Sequence, residues 1–250
     1  MTDFKIEKIA PLCADFGVTL DSEKINLLNL YGNLLLLWNK KINLTAITEP
    51  EEVLYKHFYD CILFLKHIKV PQNASLIDVG TGAGFPGTVL KIVRPDINVT
   101  LLDSLNKRLV FLNGVITELR LKGISTVHMR AEDAGKSKLY REKYDIACAR
   151  AVANLPVLME YCVPLVKKGG LFAAMKGPSA EEEAENSLNA ARLLGAEKPI
   201  IICETLTGNT QRAFVISKKI SQTPTKYPRK PADISKPVSY THLRAHETVL

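Results

Sequence analysis

Over the first seventy residues, apolar positions recur at helical spacing. From Ser75 onward they shorten into β-branched runs. Phe4, Ile9, Leu12, Cys13 and Phe16 form a stripe that stops at Gly17, and Asp21 is placed to cap a second helix carrying Ile25, Leu28, Leu35 and Trp38. Thr48-Glu49-Pro50-Glu51 reads as a capping box with proline in the first turn of a third helix. That helix would bury Val53, Leu54, Phe58, Cys61, Ile62 and Leu65. Asn43-Leu44-Thr45 is the polar break between the second and third helices. Strands are predicted at Ser75–Val79, Val99–Asp103, Thr126–Met129, Tyr144–Ala149 and Leu171–Met175, the last entered through a Gly169-Gly170 turn. Helices are predicted at Gly87–Val93, Leu105–Leu121, Leu155–Val166 and Ala180–Leu194. Pro199–Glu204 and Arg212–Ser217 flank a Gly208-Asn209 turn signal, which suggests that an α/β sheet ends in an antiparallel strand pair. No internal repeat is visible.

Composition narrows the class. A chain of 250 residues with 46% hydrophobic content can bury a sizeable core. The longest uninterrupted apolar stretches, such as Leu34 to Trp38, are far short of the roughly 20 residues of a membrane span. With no basic segment leading into an apolar secretory core, a cytoplasmic protein off the membrane is expected. Cys13, Cys61, Cys148, Cys162 and Cys203 form no C-x-x-C pair and the histidines lack ligand spacing, so neither disulfides nor a metal are implied. The formal charge of +7 is compatible with a polyanionic partner. Lys218, Lys219, Lys226, Arg229 and Lys230 surround Tyr227, a cluster that suits phosphates and a stacked base or equally a solubilising tail.

The chemistry concentrates at Leu76-Ile77-Asp78-Val79-Gly80-Thr81-Gly82-Ala83-Gly84-Phe85-Pro86-Gly87, a buried strand running into a glycine-rich turn and a helix start. Gly82 to Gly87 fits G-x-G-x-x-G, which would seat a dinucleotide pyrophosphate on helix N-terminal amides. Two residues oppose that ligand: Asp78 would repel phosphate, and Pro86 removes a donor. S-adenosylmethionine, with its sulfonium and ammonium groups, matches an acidic D-x-G-x-G-x-G turn better. Asp103, at the end of the next strand, suits ribose hydroxyls in either kind of site. Alternatively, the glycines make only a tight turn and Asp103 only caps a helix.

In open sheets of this kind, residues just past the carboxyl ends of strands are the functional candidates. Here they are Gly80 to Phe85, Asp103-Ser104, Arg130-Ala131-Glu132-Asp133 and Ala149-Arg150-Ala151, with Lys176 completing the rim. Glu132 or Asp133 could accept an adenine amino proton, and Phe85 could pack on an apolar part of the cofactor. The segment after the fourth strand lacks an Asn/Asp-Pro-Pro-aromatic run, and Cys148 lacks an adjoining proline. Methylation of base amines or of pyrimidine carbon five therefore loses ground. A ring nitrogen with a free lone pair, such as guanine N7, needs no general base, and Arg150 and Lys176 suit that case as donors to a guanine carbonyl or a flanking phosphate.

Trp38 to Thr45, Lys56-His57-Phe58-Tyr59-Asp60, the Asp78 to Gly87 turn, Leu102 to Arg108, Arg130-Ala131-Glu132, Ala149-Arg150-Ala151-Val152 and Lys226-Tyr227-Pro228-Arg229-Lys230 together resemble one family. It is the bacterial small-subunit ribosomal RNA methyltransferase G family, also called glucose-inhibited division protein B, and the resemblance runs to about Val238. It implies methyl transfer from S-adenosylmethionine to the N7 of a guanine in 16S ribosomal RNA, free or in the small ribosomal subunit. The implied fold is a class I, Rossmann-like methyltransferase sheet with a helical N-terminal cap and a final antiparallel strand pair. Residues 1–70 would form the cap, 71–220 the α/β domain and 221–238 a basic C-terminal tail. The resemblance puts cofactor at Gly80, Phe85, Ala131, Glu132 and Arg150, with Asp103 on the ribose; Asp78, Gly82 and Gly84 join that set from the turn itself. Arg150 and Lys176 are the expected catalytic groups. Asn43, His57, Asp60 and Lys176 fall on family motif positions near an RNA entrance, and Arg229 and Lys230 belong to the basic tail. A monomer is expected. Residues 239–250 depart from the family pattern and are read as a non-native tail. An NAD-dependent oxidoreductase using the same turn, and a non-catalytic RNA-binding module, are the competing readings.

Overall fold

The computed structural model describes residues 2–206 and 210–234; the Gly208-Asn209 turn and residues 239–250 lie outside them. Seven strands form one sheet in the order β3-β2-β1-β4-β5-β7-β6. They are β1 (Ser75–Val79), β2 (Asn98–Asp103), β3 (Ile124–His128), β4 (Tyr144–Arg150), β5 (Val166–Lys176), β6 (Ile200–Leu206) and β7 (Thr210–Lys218). The first five run parallel, and β7 pairs antiparallel with both β5 and β6. Parallel pairing aligns Val79 with Leu102, Asp103 with His128 and Arg150 with Met175, so the loops after these strands open at one sheet edge.

The helices are α1 (Ala10–Ala14), α2 (Ser22–Asn39), α3 (Pro50–Val53), α4 (Asp60–Ile62), α5 (Phe64–His67), α6 (Gly87–Val93), α7 (Asn106–Glu118), α8 (Ala131–Ala134), α9 (Leu155–Cys162), α10 (Ala180–Leu194) and α11 (Pro231–Ile234). Asp21 caps α2 by accepting the Lys24 N–H at 2.9 Å, and Gly195, left-handed with φ 81°, ends α10. The capping box expected at Thr48 does not form. Glu49 occupies the N-cap without a side-chain bond, and Pro50 alone starts the helix. The third helix is also broken: a π-turn over Leu54–Tyr59 separates α3 from α4. Gly169-Gly170 lies within β5 rather than before it, and α8 is a helical turn where a loop was expected.

The sheet's period of two divides its side chains between two cores. Leu76 on β1 and Ile146 and Cys148 on β4 join the core shared with α2, α4, α6 and α7, so residues 1–70 and the sheet bury one continuous apolar mass. Ile77, Val79, Ala147 and Ala149 face the opposite core, under α9 and α10. This parity decides where Asp78 goes.

Candidate functional site

The loops after β1 to β4 enclose a cleft of about 370 Å³ lined by Gly80, Asp103, Arg130, Glu132, Val152 and Tyr161 among others. Asp103 and Glu132 are 3% and 4% exposed. The Asp103 carboxylate accepts the Gly82 N–H at 2.9 Å and the Leu105 N–H at 2.8 Å, and Arg108 approaches at 3.3 Å. It thus braces the glycine turn against the end of β2 while lining the cleft. Gly80 and Gly82 are left-handed, with φ 68° and 61°. A Cβ on Gly80 would meet Val152 Cγ2 at 2.8 Å, so the glycine is needed for close approach to the loop after β4.

Of the residues expected to hold cofactor, Asp78, Gly82, Gly84, Phe85 and Arg150 are not among those lining this cleft. Asp78 takes the even-numbered face of β1 and is fully buried, accepting Thr81 Oγ1 at 2.6 Å and the Gly87 N–H at 2.9 Å. Burial raises its carboxyl to about 6, against the pull of the Thr81 and Gly87 hydrogen bonds. The carboxylate fills the start of α6 from inside; it acts on the turn and does not face the cleft. Gly84, with φ 98°, is enclosed by Thr88, Tyr31 and Leu112, and a Cβ there would lie 2.5 Å from Thr88 Oγ1. Phe85 is 5% exposed and stacks on His57 at 4.5 Å, beside Tyr31 and Phe58. It anchors the turn to the helical cap and is not among the cleft-lining residues.

A second cavity of about 340 Å³ adjoins the first, and Ala151 lines both. Its walls include Lys56, His57, Asp60, Arg150, Lys176 and Arg212. Arg150 was expected on the rim and in the cofactor site. Its guanidinium instead turns toward the cap, reaching Asp60 at 3.1 Å, the Lys56 carbonyl at 3.1 Å and His57 Nδ1 at 3.0 Å, over the Phe85 ring at 4.9 Å. Asp60 has no exposed surface and also receives Arg212 Nε at 3.1 Å. Burial pushes its carboxyl up, and the two arginines bring it only part of the way back. His57 Nδ1 lies between the Arg150 guanidinium, a donor at 3.0 Å, and the Lys56 carbonyl, an acceptor at 3.1 Å, while Nε2 is 2.8 Å from Thr45 Oγ1. Burial first and then Arg150 lower His57 to about 3, which keeps the ring neutral. Lys176 donates to the Ala153 carbonyl at 2.9 Å and pairs with Glu183 at 2.7 Å.

The remaining expected contacts divide. Asn43 is exposed at the break after α2, where Asn39 holds the turn through Leu44, Thr45 and the Thr45 carbonyl. Lys230 is exposed. Arg229, expected to meet RNA, is engaged inward: its backbone N–H and guanidinium bind Glu160, which is 1% exposed, at 2.7 to 3.1 Å. Arg141 adds bonds to the Thr223 and Tyr227 carbonyls, so the tail is strapped onto α9. Sequence reasoning missed Tyr161, Arg212 and Glu183. Tyr161 sits on α9 behind a helical pattern, and Arg212 reaches Asp60 across 152 residues, a separation with no local signal.

Among the described residues no group of histidine, cysteine and carboxylate side chains could hold a metal, and no helix is long and apolar enough to cross a membrane.

The sequence pattern of the rRNA small subunit methyltransferase G family matches residues 24–213. The chain is 50% identical over 225 residues to the ribosomal RNA small subunit methyltransferase G of Clostridium botulinum (strain Loch Maree / Type A3), covering 90% of this chain and 94% of that one. It is 55% identical over 222 residues to the protein of the same name from Acetivibrio thermocellus, covering 88% and 91%. Among solved structures, a SAM-dependent O-methyltransferase from Thermotoga maritima superposes with a TM-score of 0.51 over 76% of this chain and 72% of that one. At 14% identity this likeness concerns the fold alone.

Proposed function

The chain belongs to the rRNA small subunit methyltransferase G family, and from that membership we infer that it methylates the N7 of a guanine in 16S ribosomal RNA, with S-adenosylmethionine as donor. The observation that carries this reading is the pair of cavities meeting at Ala151, one presenting the Asp103 and Glu132 carboxylates and the other lined by cations that each have a carboxylate partner.

The first cleft suits the donor. Asp103 and Glu132 offer oxygens to hydroxyl and amino groups, while the Gly87 N–H that a pyrophosphate would use is taken by Asp78. Asp103 would hold the ribose, with Ala131 and Glu132 at the adenine and Gly80 and Gly82 giving the approach. Gly84, Phe85 and Asp78 support that turn from behind. Bound there, S-adenosylmethionine supplies a methyl group on a sulfonium. Guanine N7 accepts it through its own lone pair, and no protein group has to take a proton.

The second cavity is the proposed seat of the target base. Lys176 and Arg150 are placed to donate to the base or its phosphate, and Arg150 is held rigid by Asp60 and His57. Methylation at N7 leaves a positive base, and pairing Arg150 and Arg212 with Asp60 and Lys176 with Glu183 limits their repulsion of it. Ile47, Lys56, His57 and Asp60 form the cap side of this cavity, and the exposed Asn43 and Lys230 are the proposed contacts for RNA flanking the target. We propose that the protein acts as a monomer in the cytoplasm. Mapping N7-methylguanine along 16S ribosomal RNA from cells with and without the chain tests the reading. One guanine should lose its methyl group in the deletion and regain it on complementation; an unchanged map would refute the reading.

A further inference from the structure

The loop between β4 and α9 separates the two cavities. Ala151 lines both, and Val152 packs against Gly80 of the cofactor turn. Ala151 is a left-handed alanine, with φ 54°, a conformation that persists only where the surroundings over-determine it. The residues that follow it are held from a different helix, α10. Glu183, in the first turn of α10, accepts the Leu155 N–H at 2.7 Å and Ser179 Oγ at 2.8 Å, and it pairs with Lys176 at 2.7 Å. Lys176 in turn donates to the Ala153 carbonyl at 2.9 Å. One carboxylate therefore fixes Leu155 directly and Ala153 through lysine. Glu183 also lines the second cavity, but its oxygens are committed to these partners.

We propose that Glu183 is a positioning residue for methyl transfer: by pinning residues 151–155 it sets the partition between donor and acceptor and the direction of the Lys176 ammonium. The proposal rests on the methyltransferase reading. Misplacement of reacting groups by about 1 Å costs on the order of a hundredfold in rate, so a loosened partition would reach the chemistry while leaving the Asp103 and Glu132 side of the cofactor cleft in place.

Glu183→Ala and the isosteric Glu183→Gln test it in the full chain. Turnover on 16S ribosomal RNA, calorimetric binding of S-adenosylhomocysteine and amide hydrogen exchange over residues 151–155 are the three readouts. Glu183→Ala should lower kcat by about thirtyfold and speed exchange of the segment by about tenfold, with S-adenosylhomocysteine affinity held within about threefold. Glu183→Gln, whose amide oxygen can still accept from Leu155, should fall between wild type and alanine in both. A merely structural ion pair would lower melting temperature and leave kcat per folded molecule within about twofold of wild type, and that result overturns the proposal. Unchanged exchange over 151–155 overturns it as well. Should Glu183→Ala fail to fold, Glu183→Gln decides by the same criteria. Should wild type transfer no methyl group to the RNA, the functional reading fails, while exchange, which needs no substrate, still decides whether Glu183 holds the loop.

Discussion

The Asp78 carboxylate accepts the Gly87 N–H at 2.9 Å inside the protein, so the first amide of α6 is satisfied by the chain itself. Because burial raises the Asp78 carboxyl from 3.8 to about 6, the folded protein binds more protons than the unfolded chain between those values. Its contribution to stability is therefore full below pH 4 and declines as pH rises through 6, by about 3 kcal/mol in all. Urea midpoints of wild type and Asp78→Asn against pH should show this decline in wild type and not in the variant.

His57 has the opposite sign. Held near 3 by burial and by Arg150, it contributes stability that is full above pH 6.5 and falls on acidification, by about 2 kcal/mol at pH 5. Nitrogen-15 NMR should find a neutral ring at pH 5. A charged ring there would contradict the effect assigned to burial and to the adjacent Arg150 guanidinium.

Asp103→Ala removes the acceptor for Gly82 and Leu105 and the group assigned to the ribose. Loss of hydrogen bonds to a charged group costs roughly 1.5 to 3 kcal/mol, so S-adenosylhomocysteine affinity should fall by about ten- to a hundredfold. Calorimetry measures it directly.

Two glycines of one turn should respond differently to alanine. At Gly84 a Cβ meets three side chains at 2.5 to 2.7 Å, and Gly84→Ala should destabilise the fold by more than about 2 kcal/mol. At Gly82 the nearest atom is the Gly80 carbonyl oxygen at 3.9 Å, so Gly82→Ala should cost about 1 kcal/mol for its φ of 61°. Denaturant titration of the two variants separates packing from backbone strain.

Arg229→Ala leaves Glu160 buried without its guanidinium, at a cost of about 3 kcal/mol in chemical denaturation. Its charge is already neutralised, so the salt dependence of RNA binding by the folded variant should be unchanged. Lys230→Ala, at an exposed position, should reduce the slope of log affinity against log salt by about one.

Local pattern was enough for β1, α6 and α10, whose ends coincide with the predicted ones, because strand alternation, the glycine turn and helical periodicity are properties of adjacent residues. It was also enough to bring Gly80, Asp103 and Glu132 to one cleft, since parallel strands align their carboxyl ends. Only tertiary structure decided which way charged side chains turned. Sheet parity sent Asp78 into the core instead of toward a ligand. The cap delivered Asp60 to Arg150 and Arg212, 90 and 152 residues away, and α9 drew Arg229 onto Glu160. Burial makes an unpaired charge costly, so Asp60 and Glu160 take the arginines that the packing of distant elements brings near, while Asp78 settles on hydrogen bonds from Thr81 and Gly87.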